Sequence, residues 1–256
     1  MGGGMFLEPS SHYEKMDLAN SIEEALLRKW DDVEAVGLFG SVARGDDTQW
    51  SDLDMICIVK SGKDDLFFMY GKIPVWVEVW SKDYIARKIR QDELGPEWPI
   101  SVNKWFEVIP LYDPHGIFQE LRGLAESLPE SFYIKGAKES LLDAYLWLTK
   151  MEAAHETADE IEAREAAHHL AHDLAMYIAY LNRTFYKKGF KSMFREYEEF
   201  KVVPAHYGDA IHKLAGHVFV DLATLKASAE ELWVECLKTA ELNRVKPRQI
   251  ESLGEI

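Results

Sequence analysis

Two aspartates, Asp52 and Asp54 in "SDLD", follow about a dozen residues after a glycine-serine turn, Gly40-Ser41, and its nearby arginine, Arg44. In an extended segment side chains alternate faces, so the two carboxylates emerge together. Side by side they repel, and keeping both ionised favours a divalent cation between them; oxygen-only ligands of this kind suit Mg2+ or Mn2+. A third acid lies further on. In "VWVEVWS" (75–81) the valines 75, 77 and 79 share one face and leave Trp76, Glu78 and Trp80 on the other. Burying an unpaired carboxylate in such a strand costs roughly several kcal/mol unless it is paired, protonated or bound to metal. If this strand lies beside that of Asp52 and Asp54 with those faces aligned, the three acids form a two-metal cluster that clamps the attacking and leaving oxygens of an in-line phosphoryl or nucleotidyl displacement. Gly40 permits close backbone approach, Ser41 opens a short helix whose N–H groups and hydroxyl can hold phosphate oxygens, and Arg44 adds charge-assisted bonds. Turn, arginine, aspartate pair and distant acid thus predict one site for a nucleoside triphosphate carried on metal.

The elements that position these residues follow from local pattern. Residues 17–30 have apolar positions at helical spacing, and "SKDYIARKIRQ" reads as a second helix. Segments 34–40, 52–59 and 75–81 are short, rich in Val, Ile and aromatics, and bounded by Gly, Ser, Lys or Pro, as strands are. A fourth strand is predicted at 106–112, where Pro110 implies an edge position or a break in the ladder. From Phe132 onward, long stretches of helix formers carry apolar residues three and four apart with no alternation. The prediction is an α+β chain: a catalytic domain over 1–127 with a mixed β-sheet flanked by helices, and an all-α helical bundle over 128–256.

Bulk properties narrow the function classes. The formal charge of −15 is the wrong sign for gripping a phosphate backbone, so a cationic partner is expected and nucleic acid is not. No apolar run nears the ~20 residues of a membrane span, and "MGGGMFLEPSS" lacks a signal peptide's regions, so a cytoplasmic protein without membrane contact is expected. The two cysteines, Cys57 and Cys236, lack disulfide or metal spacing and read as inert core residues.

"GSVARG", then "SDLD", then a later strand glutamate resembles the DNA polymerase β-like nucleotidyltransferase superfamily. The segment "EWPISVNKWFEVIPLYDPHG" (97–116), followed by helices, is similar to the kanamycin (aminoglycoside) nucleotidyltransferases. That resemblance implies ATP as substrate, Mg2+ or Mn2+ as cofactor, transfer of AMP to a hydroxyl of a small, cationic acceptor such as an aminoglycoside, and a homodimer. It places Asp52, Asp54 and Glu78 on the metal positions, Gly40 and Ser41 on the phosphate turn, and Lys150 near a helix lysine that approaches the nucleotide. The family's glutamate base aligns with Leu146 or Trp147 here. The nearest acid, Asp143, is about one turn away and shares a helical face with Lys150, which nominates it as general base. Either the base has moved or the acceptor is not an aminoglycoside.

Other signals are weaker. His168 and His172 share a helix face without an evident third ligand and read as a polar face. Trp76, Trp80 and Trp98 suit either stacking on a ring or packing, and "MYIAYLNRTFY" reads as core. Glu97 is a candidate for gripping a cationic substrate, whereas Glu107 reads as solvated charge. Two alternatives stay open. "GSVARG" also resembles the minimal AMP-transferases of toxin-antitoxin systems, which modify proteins, and a non-catalytic nucleotide-binding scaffold would carry the same turn.

Overall fold

A computed structural model describes residues 9–90 and 97–247, which fall into two compact units: 9–90 with 102–127, and 97–101 with 128–247. The short stretch before Val102 therefore departs from a single cut after residue 127. In the first unit, α1 (His12–Lys29) starts at a capping box between Ser11 and Glu14. It is followed by β1 (Val33–Phe39), α2 (Gly40–Arg44), β2 (Leu53–Val59), β3 (Leu66–Tyr70), β4 (Ile73–Ser81) and α3 (Lys82–Arg90). After α4 (Trp98–Ser101), which belongs to the second unit, come α5 (Lys104–Glu107), β5 (Ile109–Tyr112) and α6 (Ile117–Glu126).

The five strands form one mixed sheet in the order β3-β4-β2-β1-β5. β5 takes an edge, as Pro110 requires, while β2 and β4 run parallel at the centre. Alternation sets the two faces. Leu53, Met55, Cys57 and Val59 of β2, with Val75, Val77 and Val79 of β4, pack with Leu18, Ile22 and Leu26 of α1 into a buried core. Burial pushes the Cys57 thiol up to about 12, so it is an inert core residue at neutral pH. The opposite face carries Asp54, Trp76, Glu78 and Trp80.

The second unit is helical, with α7 (Glu130–Glu156), α8 (Glu160–Leu181), α9 (Tyr207–Leu214) and α10 (Leu222–Leu242). Asp159 caps α8 by accepting from the Glu162 N–H at 3.0 Å, and Asp221 caps α10 by accepting from the Thr224 N–H at 2.7 Å. The stretch "MYIAYL" is core: Tyr177, Ile178, Ala179 and Tyr180 are buried, and the Tyr177 hydroxyl donates to the Cys236 carbonyl of α10 at 3.2 Å. Trp98 packs there too, its ring stacked on Tyr180 and edge-on to Phe132, so it is a packing residue. α7 approaches α8 closely at Gly136, where an added Cβ would lie 2.4 Å from the Tyr180 ring. Gly136→Ala is expected to lower stability by about 1–3 kcal/mol, the usual cost of overpacking, measurable as a reduced urea midpoint.

Among the described residues no helix is long and apolar enough to cross a membrane.

Candidate active site

β1 ends at Phe39, and the chain turns at once into α2 through Gly40, whose φ of +75° lies in the left-handed region. A side chain has no room there, since a Cβ on Gly40 would sit 2.4 Å from Asp54 Oδ2. Glycine therefore lets the turn backbone lie directly against the Asp54 carboxylate. The Ser41 hydroxyl is buried without a hydrogen-bond partner. An orphaned buried hydroxyl is costly in an ordinary core and useful where a polar ligand arrives.

Asp52 lies exposed one residue before β2, and Asp54 is half-buried within it. Asp54 pairs with Phe39 on one side and Trp76 on the other, while Glu78 stands opposite Ile56. Asp54 and Glu78 are thus diagonal neighbours on one face of parallel strands, whereas the metal expectation also called on Asp52, which lies outside β2. Glu78 is buried, and burial pushes its carboxyl up against the opposing pull of Lys104. The Lys104 ammonium donates to both Glu78 oxygens, at 2.6 and 2.7 Å, and lies 4.9 Å from the ring centres of both Phe39 and Trp80. In this arrangement no three acidic, histidine or cysteine side chains among the described residues stand close enough to hold an ion. The donor set nonetheless fits a hard divalent cation: oxygen only, on one face, against a turn with an unpartnered hydroxyl.

Arg44 is engaged as well. Its Nη1 donates to Glu107 Oε2 at 2.8 Å and its Nε to Asp46 Oδ1 at 3.2 Å, while the other Glu107 oxygen accepts from the Gly40 N–H at 3.0 Å. Burial works against the Arg44 charge, but Glu107 and Asp46 hold it above its ordinary value. Glu107, expected as solvated charge, is instead a mostly buried acid bridging turn and arginine. Lys104 and Glu107 are the polar residues that sequence reasoning missed or misread. Their three-residue spacing on a helical turn, on either side of Trp105 and Phe106, was the available signal.

The remaining candidates lie in the second unit. On α7, Asp143 is half-buried, and burial, then Asp173 and Glu139, push its carboxyl up. Lys150 is exposed with its ammonium 3.8 Å from the Trp147 ring centre, and Glu97 is exposed just before α4. His168 and His172 do not converge: His168 Nδ1 is 3.3 Å from the Ala215 carbonyl, and His172 pairs with Asp173 at 2.9 Å.

Comparison with known proteins places this chain in a family. The chain matches the nucleotidyltransferase domain over residues 19–109 and the KNTase C-terminal domain over residues 115–246. It is 29% identical over 118 residues to an aminoglycoside nucleotidyltransferase (4') from Staphylococcus aureus, and equally to one from Bacillus sp. The match spans 45% of this chain and 46%, about half, of each relative. A nucleotidyltransferase-like protein from Exiguobacterium sibiricum shares the fold, with a TM-score of 0.56 at 10% identity, over 89% of this chain and 76% of the other. The KNTase C-terminal match alone covers just over half of the residues, so the chain belongs to that family, with a nucleotidyltransferase domain preceding its KNTase C-terminal domain.

Proposed function

We propose that the protein transfers AMP from ATP to a hydroxyl of a small, cationic acceptor such as an aminoglycoside. The observation that carries this reading is the Gly40 turn seated against Asp54, with Ser41 unpartnered and Glu78 on the neighbouring strand face. Asp52, Asp54 and Glu78 would hold Mg2+ or Mn2+, which when bound neutralises the triphosphate and activates the attacking oxygen. The Ser41 hydroxyl, the Gly40 N–H and Arg44 bind phosphate oxygens and orient the α-phosphorus. The acceptor oxygen forms a bond to that phosphorus, the bond to the β-phosphate oxygen breaks, and pyrophosphate leaves. Asp143 takes the hydroxyl proton, a role suited to a carboxyl pushed up by burial and by Asp173. Lys150 approaches the nucleotide, Glu97 contributes to holding the cationic acceptor, and the active species is a homodimer. The relatives named for aminoglycosides and the acidic balance of the chain support that acceptor class.

The test is incubation with ATP, Mg2+ and an aminoglycoside panel, followed by pyrophosphate release and product mass. Acceptor-dependent pyrophosphate release with an AMP adduct on the small molecule is expected, and EDTA should abolish it. Label moving to protein would instead favour the toxin-antitoxin type of AMP transfer, which the "GSVARG" turn also resembles. ATP binding without turnover would reduce the protein to a nucleotide-binding scaffold.

A further inference from the structure

Of the groups assigned above to metal and triphosphate, Glu78, the Gly40 N–H and Arg44 each have an internal partner on one and the same helical turn. Lys104, the first residue of α5, places its ammonium on both oxygens of Glu78. Glu107, its last, takes the Gly40 N–H and the Arg44 guanidinium. A cation thus sits on a proposed metal ligand, and an anion on the proposed phosphate donors. Neither side chain is solvated: each is less than one-sixth exposed, and Trp105 between them is buried. Without such partners the site would leave a buried carboxylate uncompensated and a partly buried guanidinium with Asp46 as its remaining acid, which is expensive. The Ser41 hydroxyl, buried and unpartnered beside Glu107's attachment point, marks where the internal substitute is incomplete.

We propose that Lys104 and Glu107 are further binding-site residues of the proposed reaction, acting as an internal stand-in for metal and triphosphate that substrate must displace. This rests on the metal-nucleotide reading of the same site. Substrate binding is then an exchange of ion pairs, and apparent affinity is reduced by the fraction of molecules in which the stand-in is seated. Both residues set affinity for metal-nucleotide rather than taking part in bond making.

The test measures binding of Mn2+ alone and of inorganic tripolyphosphate alone to the full chain, without turnover. Lys104→Met is expected to bind Mn2+ about tenfold more tightly than wild type, and Glu107→Gln to bind tripolyphosphate about tenfold more tightly. Lys88→Met and Glu126→Gln remove charges of the same signs that contact the Trp80 ring and Arg122 rather than Glu78 or Arg44, and control for bulk electrostatics; equal tightening in them would overturn the proposal. So would unchanged or weaker binding by folded Lys104→Met or Glu107→Gln. Should either variant not fold, wild type labelled with 5-fluorotryptophan decides: the Trp105 resonance must shift on saturation with Mg2+ and a non-hydrolysable ATP analogue, and a fixed resonance overturns the proposal. Asp54→Asn separates the two levels. Mn2+ binding that is absent in wild type, or indifferent to Asp54, sinks the metal reading and the stand-in with it; binding that needs Asp54 but ignores Lys104 sinks the stand-in alone.

Discussion

Gly40→Ala is expected to cut nucleotidyl transfer by about 10²-fold or more while leaving a folded protein. Two penalties coincide at this position. The backbone sits at φ +75°, where a non-glycine residue costs about 1–2 kcal/mol. The new methyl would also meet Asp54 Oδ2 at 2.4 Å, a distance at which one of the two must move. If the carboxylate rotates away, it leaves its place on the strand face shared with Glu78. If the turn recoils instead, it takes Ser41 and Arg44 with it. Either displacement is of ångström scale, enough to cost orders of magnitude in rate. Gly45 separates strain from clash: it has φ +71° with nothing within 4 Å of an added Cβ. Gly45→Ala should therefore show a comparable loss of melting temperature with near-normal kcat/KM. Equal activity losses in the two variants would mean that the turn acts through stability and not through Asp54.

The site face was legible in the sequence because alternation is an unambiguous signal: three valines on one side of "VWVEVWS" oblige Glu78 to the other, and β2 and β4 align those faces. The edge position of β5 was legible from Pro110 for an equally local reason. β3 was not predicted. Its "LFFMY" is apolar without alternation, and it carries exposed Phe67 and Tyr70 at the edge of the sheet. The available clue was the two-residue connection Gly71-Lys72, with Gly71 at φ +57°, which is hairpin chemistry. Trp98 and its neighbours were placed with the first domain by sequence order, yet they pack against Phe132 and Tyr180, partners remote in the chain. Lys104 and Glu107 share that difficulty: a charge's partner 26 or 63 residues away leaves no periodic trace. Long-range ion pairs are set by topology, which local pattern does not encode.

The same holds for Lys15, whose replacement by methionine is expected to cost about 3 kcal/mol or more of stability. Lys15 lies on the buried side of α1 with no exposed surface, and its ammonium donates to Asp47 Oδ2 at 2.9 Å and to the Thr48 carbonyl at 2.5 Å. Asp47, with its side chain 3% exposed, also pairs with His12 Nδ1 at 2.6 Å. Ser10 adds hydrogen bonds to the Gln49 carbonyl, so the start of α1 staples the 47–49 loop that leads into Asp52. Removing the lysine strands a buried carboxylate, which is worse than removing both charges; Lys15→Met with Asp47→Asn should lose less than the sum of the single variants. The pH dependence has a definite sign. Burial alone would push the Asp47 carboxyl up, but Lys15 and then His12 hold it below the ordinary aspartate value. Its folded pKa is thus below its unfolded one, so its contribution is present at neutral pH and is lost as pH falls below about 4. Urea melts of wild type and Asp47→Asn should therefore differ at pH 7 and converge toward pH 3. Parallel curves across that range would show that the Lys15 ammonium does not stabilise the Asp47 charge, and that the loop before Asp52 is anchored by backbone bonds alone.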